Sequence, residues 1–324
     1  MTFVQEAKAA QIAWKQNTPT LPEEARHKGT YREREYDFCL PREFGRFNLL
    51  PDARHATSYF EAAAIPWHDS VDGGPSNHLR DSQVQCVNAL APLADDADGL
   101  VAAFGATLDM AKPVRMHDPA APDAFLAFEW IGEGNPLGEL RDGVGTRGAK
   151  NTSVDAAFRY EDSDGREVLT LVEWKYTEQY LEETGLKTSK TSKATRDARY
   201  RHLFEDPDGP LDHDLIPYDD FYVEPVYQLF RLSLLAWRLE TARAADAVRV
   251  LYCAPARNTE LWASLNRASH REACGGGPEH LGDLWQKMQR RPDRFQLFDT
   301  AQLVAEQAPT CAEFKSRYGH IASA

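Results

Sequence analysis

The chain has 324 residues, 42% hydrophobic and 27% charged, which suits a globular protein of one large domain or two small ones and excludes a collagen-like or disordered chain. Its 50 acidic and 37 basic side chains leave a net charge of −13, the wrong sign for coating nucleic acid through overall charge, though not for an enzyme that touches a few phosphates locally. No apolar run approaches the roughly 20 residues that span a bilayer, and the first residues lack the basic-then-apolar design of an export signal. The five scattered cysteines (Cys39, Cys86, Cys253, Cys274 and Cys311) form no CxxC pair, so a cytoplasmic protein with reduced thiols is expected.

In chain order, Lys8 to Gln16 reads as a helix, and Lys28 to Tyr36 alternates charge like an exposed segment. Asp72 to Ser76 is a break, so residues 1–75 read as an N-terminal extension packed on the core, and 76–324 as the main domain. Ser76 or Asn77 can cap a helix reaching Pro92, with Leu79, Gln83, Cys86, Val87 and Leu90 at helical spacing; Leu100 to Phe104 extends this region. Three aromatic and β-branched stretches read as strands: Phe125–Ile131, Ser153–Tyr160 and Val168–Tyr176. A Gly-rich loop, 132–148, joins the first two, and Asp162 to Gly165 turns the second into the third. A basic helix over about 188–205, an apolar helix over Glu224–Thr241, a buried strand at Ala247–Cys253 and a short strand at Phe295–Phe298 complete the pattern. The order predicts an α/β fold whose mixed sheet contains an antiparallel hairpin flanked by helices.

The hairpin carries the chemistry. Glu173 and Lys175 share a strand face while Trp174 points away. A three-residue loop Ser163–Gly165, with Gly at its last position, places Asp155 opposite Glu173; a two-residue loop would place it opposite Trp174. The first register is preferred because it puts Val154, Ala156, Phe158, Val172 and Trp174 on one apolar face. Two neighbouring carboxylates repel and are costly to bury without a counter-charge. A Mg²⁺ ion resolves this, held by Asp155, Glu173 and the backbone carbonyl of Trp174 while keeping several waters. Such an ion acidifies water and neutralises charge developing on a phosphate, and Lys175 can orient that water or stabilise the transition state. Two other acid-x-Lys triplets, Glu6–Lys8 and Glu313–Lys315, lie in helical surroundings where the two charges do not share a face. An ordinary charge pair at a strand end is the plain alternative.

Asp155 followed by Glu173-Trp174-Lys175, in a helix–strand–hairpin–helix–strand order, resembles the PD-(D/E)xK nuclease superfamily. Gly145–Gly148, Thr152–Ala156, Leu171–Glu178 and Ser82 to Pro92 resemble, more narrowly, a bacterial family of restriction endonucleases. The resemblance covers roughly residues 76–300. It implies a restriction-endonuclease-like core and Mg²⁺-dependent cleavage of DNA, with Mn²⁺ an admissible substitute, in restriction or phage defence. By the same implication, Asp155 and Glu173 are metal ligands and Lys175 is the catalytic lysine. Val154 stands where the superfamily's name-giving proline would be, and the early helix offers Gln83 or Asp81 in place of a glutamate ligand.

Other candidates surround this centre. Glu129, near the end of its strand, and Gln228, on the apolar helix, are possible accessory groups. Gly143 to Gly148 matches GxGxxG, but a strand comes after it instead of a helix, so it reads as a loop beside the site with Arg147 available for phosphate. Asp212–Asp214 reads as a solvated loop. Lys187, Lys190, Lys193, Arg196, Arg199 and Arg201 are interrupted only by Asp197 and suit phosphate contacts that position DNA without reading sequence. A homodimer is compatible with this reading. The rival is a non-catalytic nucleic-acid- or partner-binding protein on a degenerate nuclease fold.

Overall fold

The turn at Asp162–Gly165 centres the sheet on one hairpin, and the rest of the chain is laid against its two faces. The computed structural model describes residues 1–140, 145–148, 151–180 and 190–322. The chain begins with α1 (Phe3–Asn17), β1 (Gly29–Tyr31), β2 (Arg34–Tyr36), α2 (Ala56–Ala62), α3 (Ser82–Leu90) and α4 (Ala97–Leu108). The central strands come next: β3 (Met110–Val114), β4 (Leu126–Trp130), β5 (Val154–Asp162) and β6 (Glu167–Trp174). Then come α5 (Lys190–Phe204), α6 (Val226–Thr241), β7 (Ala247–Ala254), α7 (Thr259–Trp262), α8 (Ala268–Ala273), α9 (Leu281–Met288), β8 (Phe295–Asp299) and α10 (Ala312–Tyr318).

The main sheet runs β3-β5-β6-β7-β8, with β4 also on β5. β3 and β4 share one edge of β5, β3 beside Arg159–Asp162 and β4 beside Val154–Phe158. β5 and β6 are antiparallel, whereas β6, β7 and β8 are parallel, and α5 and α6 make the crossover from β6 to β7. Both faces are covered, as a sheet with parallel strands requires. On one face Ala156, Phe158, Val172 and Trp174 pack with α1, α3, α4 and α10; on the other Ala157, Leu169 and Leu171 pack with α5, α6 and α9. Residues before 75 belong to the first core, through Phe3, Trp14, Leu40 and Phe60. The buried Arg317 of α10 ties them down by donating to Gln11, Asn48 and Leu79.

Several details differ from the sequence reading. The charged run 28–36 is the hairpin β1–β2. β3 escapes notice because Lys112 and Pro113 interrupt any strand pattern. Asp81, not Ser76 or Asn77, caps α3 by accepting from Val84 N–H; Ser76 donates to Asp81, and Asn77 is occupied by the Thr30 and Leu40 carbonyls. Leu100–Phe104 lies in a separate helix with its own cap, Asp96. Val154 does not share a face with Ala156: it packs in the second core, and Trp130 beside it does too. Both strands change face at the level of Glu129 and Asp155, where Glu129 adopts a left-handed φ of 46°.

Candidate active site

The hairpin closes through the three-residue loop: Asp162 N–H donates to the Arg166 carbonyl at 3.0 Å, and Gly165 supplies the positive φ of 77°. Counting from the Ala156–Val172 and Ala157–Leu171 pairs, Asp155 falls opposite Glu173. The β5–β6 ladder ends at Ala156–Val172, while β6 continues along β7 to Trp174–Cys253. The two strands part at this level, and the Asp155 carboxylate fills the gap by accepting the Trp174 N–H at 2.6 Å. The Trp174 ring turns into the first core, where its Nε1 donates to Gln85 of α3 at 2.9 Å.

Glu173 is 1% exposed. Its Oε1 accepts from Lys175 Nζ at 2.5 Å, and its Oε2 is buried with no hydrogen-bond partner. Lys175 is itself buried and is fixed past the end of β6 by donating its N–H to the Cys253 carbonyl at 2.8 Å. Glu129, from the other side of β5, is also buried. Gln83 of α3 donates to Glu129 Oε1 at 2.6 Å, and Gln83 is in turn set by His68 N–H at 2.8 Å. Gly148 lies over the other Glu129 oxygen, close enough that a Cβ there would stand 3.3 Å from it.

The electrostatics arise from this burial. Burial, then the neighbouring Glu173 charge, holds Asp155 well above the usual carboxylate range, although Lys175 and the Trp174 N–H pull it down. Burial raises Glu129 as well, with Glu173 adding to the effect and Gln83 opposing it. Glu173 is raised by burial against the pull of Lys175. For Lys175 burial works against the ammonium form, but the attraction of Glu173 and its other neighbours prevails and the lysine stays protonated. Among the described residues no group of three or more His, Cys, Asp and Glu forms a ready metal cage. The site offers two facing carboxylates and one unpaired buried oxygen, a donor set that fits a hard cation able to keep waters of its own.

The remaining predicted residues are placed differently. Arg147 is not offered to phosphate: it donates to Asp118 at 2.7 Å, to Tyr59 Oη at 2.6 Å and to the Glu129 and Phe128 carbonyls, pinning the loop over Glu129. Lys187 and the side chain of Lys190 lie outside the described residues, as does Gly143. Lys193 is paired with Asp197 at 3.1 Å and Asp219 at 2.8 Å, so part of the basic stripe is neutralised by acids from its own helix and the segment before α6. Arg196 stands 5.5 Å from the Tyr227 ring centroid, and Arg199 is half-buried on the same helix. Gln228 is half-buried on α6, but the charge that Glu173 feels from that helix is Arg231. Arg231 donates to Thr152 Oγ1 at 3.1 Å, and Thr152 donates to the buried Glu139 at 2.8 Å, which also accepts from Tyr200 of α5. Sequence reasoning assigned no role to Arg231 or Glu139; the available signal was an arginine inside the apolar stretch of α6.

A family match covers residues 7–319, nearly the whole chain, and its description is Restriction Endonuclease associating with ARP. The mixed sheet, its antiparallel hairpin and the flanking helices are consistent with a restriction-endonuclease-like fold. No curated protein and no solved structure shows a significant match. With Asp155, Glu173 and Lys175 gathered at the end of that hairpin and the match running through both cores, the chain belongs to the family of restriction endonucleases associating with ARP.

Proposed function

We propose that the protein is a Mg²⁺-dependent endonuclease that hydrolyses phosphodiester bonds in DNA, in a restriction or defence role. The observation that carries this reading is the Glu173 carboxylate: one oxygen is held by Lys175, and the other is buried, unpartnered and beside Asp155. A buried acceptor without a partner costs about 1–3 kcal/mol, more when charged, and is retained where something else is meant to meet it. Asp155, Glu173 and the Trp174 carbonyl are the groups that would hold the ion. A bound Mg²⁺ supplies an acidified water and neutralises charge gathering on the phosphate. Lys175, kept protonated by Glu173, presents an ammonium to the phosphate oxygens or to the attacking water, where a preorganised charge in a buried site is worth most. Gln83 and Gln85 of α3 hold Glu129 and Trp174 in place, and Arg147 keeps the loop against Glu129.

The test combines plasmid cleavage in Mg²⁺ with metal titration by calorimetry, on wild type, Lys175→Ala and Asp155→Ala. Lys175→Ala should lose most cleavage and still bind metal; Asp155→Ala should lose both. Wild-type cleavage by either variant would show the site to be misassigned. A wild type that binds no metal and cuts no nucleic acid would leave the non-catalytic binding reading in its place.

A further inference from the structure

A cavity of about 450 Å³ opens at the far end of the sheet, between the second half of α6, the loop at 207–210 and the segment 289–294 that leads into β8. Val248 lines it at the start of β7, whereas Tyr252 and Cys253 pair with Glu173 and Trp174 at the other end of that strand. Five residues of strand, about 17 Å, separate the two places. The size lies within the range of sites for small molecules, roughly 300–1,000 Å³.

The lining divides by chemistry. Ala236, Trp237 and Val248 give an apolar wall with one half-buried aromatic ring. Ser233 and Gln289, both more than nine-tenths buried, give a polar floor. Ser233 Oγ accepts from Trp285 Nε1 at 3.1 Å and from Gln289 Nε2 at 3.2 Å, which occupies both lone pairs. Among the described residues no acceptor takes the Ser233 hydroxyl proton, so the floor retains a donor.

The rim carries three arginines. Arg290, Arg291 and Arg294 line it together with Glu240 and Asp208; Arg294 is paired with Glu240 and Asp293 and Arg291 with Glu240, whereas Arg290 has no acidic partner among the described residues. Glu240 is fully used: Oε1 accepts from Arg291 at 2.5 Å, and Oε2 accepts from Arg294 Nε at 2.7 Å and from Val248 N–H at 2.8 Å. Arg290 is steadied by the Pro207 carbonyl and by His213 Nδ1 at 2.9 Å, which leaves its guanidinium at the mouth. Guanidinium groups at the mouth select phosphate, the aromatic wall selects a flat ring, and the uncharged floor selects a ring that carries hydrogen-bonding edges.

We propose that this cavity is a second binding site that takes a nucleoside phosphate, with the base against Trp237 and the Ser233 hydroxyl and the phosphate between Arg290 and Arg291. The site is separate from the carboxylate centre and does not depend on the nuclease reading.

The test uses the full chain in EDTA, so that no metal-dependent binding contributes. The four common ribonucleoside monophosphates, adenosine and inorganic phosphate are titrated by calorimetry and by tryptophan fluorescence. At least one monophosphate should bind saturably and more tightly than adenosine or phosphate. Replacing both Arg290 and Arg291 by alanine should weaken it about tenfold or more, the loss expected for charge-assisted hydrogen bonds. Trp237→Ala should cost about tenfold through lost base stacking. Circular dichroism checks that each variant is folded, and the surface arginine pair keeps the test sound if Trp237→Ala fails. Lys175→Ala should bind as wild type does. The proposal is overturned if no monophosphate binds, if inorganic phosphate binds equally well, if the arginine variant is unaffected, or if Lys175→Ala abolishes binding.

Discussion

Replacing Lys175 by methionine keeps most of the side-chain volume and removes one charge from a buried pair. Lys175 Nζ stands 2.5 Å from Glu173 Oε1, the two side chains are 8% and 1% exposed, and Glu173 Oε2 has no other donor. The substitution therefore strips the carboxylate of its hydrogen-bonded cation. Removing one member of a buried pair costs about 3–5 kcal/mol, because the other is left uncompensated. Glu173 can escape by taking up a proton. Burial already raises its pKa and Lys175 opposes that, so the variant raises it further. A carboxyl with a raised folded-state pKa is least costly when protonated, and its penalty grows as pH climbs from the unfolded value through the folded one. The deficit should be about 3 kcal/mol at pH 8 in EDTA and smaller at pH 5, as read by chemical denaturation. Mg²⁺ should recover part of it, up to about 2.7 kcal/mol at a hundredfold excess over the dissociation constant. Equal stability of variant and wild type at pH 8 in EDTA would refute the buried charge pair, and the absence of any Mg²⁺ recovery would refute the cation's place at Glu173.

Asp155→Asn keeps an acceptor for the Trp174 N–H but removes a carboxylate held above its usual range by burial and Glu173, so the metal-free protein should gain stability at pH 8, gain little in acid, and lose its calorimetric metal signal; a less stable variant at pH 8 would contradict this. Gly148→Ala places a Cβ 3.3 Å from the Glu129 carboxylate at a φ of 69°, and should cost about 1–2 kcal/mol in thermal denaturation while weakening metal binding; unchanged values in both assays would mean Gly148 does not seat Glu129. Charge reversal of Lys193 and Arg196 should weaken DNA binding and lower the logarithmic salt slope by about 0.9 for each phosphate no longer engaged, and an unchanged slope would show that these side chains serve the helix alone.

The register of the hairpin was legible because its determinants are local: Gly165 accepts the positive φ that a three-residue loop requires, and the count from it reaches Asp155 and Glu173 without further assumptions. The change of face at Glu129 and Asp155 was not legible, since period-two alternation runs through the sequence on both strands and only the parting of β5 from β6 breaks it. Arg147 looked available for phosphate because its partners are remote, Asp118 by 29 positions and Tyr59 by 88. The stripe on α5 looked unpaired for the same reason, Asp219 lying 26 positions from Lys193. β3 had no signal at all, being a short edge strand with a lysine and a proline at its centre.

The charges around the hairpin end draw these elements into one account. Glu129, Asp155 and Glu173 face one another electrostatically, and behind them stand Asp118, paired with Arg147, and Glu139, joined through Thr152 to Arg231. Lys175 donates to Glu173, Arg147 donates to the Glu129 carbonyl, and Arg231 acts on Glu173 through its charge. Asp118 offsets Arg147 and Glu139 offsets Arg231, so Glu129, Asp155 and Glu173 are left with the ammonium of Lys175, and Glu224 and Glu178 add further negative charge nearby. Burial first, and then the charge of Glu173, make the charged forms of Asp155 and Glu129 costly, which is the physical content of their raised pKa values. The arrangement is held from both sides, by Gln83 and Gln85 of α3 through the first core and by Arg231 of α6 through the second. It sits at the level of Glu129 and Asp155, where the side chains of β4 and β5 change face. Backbone strain at Glu129 and buried charge at Glu173 thus fall together at the end of the hairpin, where the proposed reading places its chemistry.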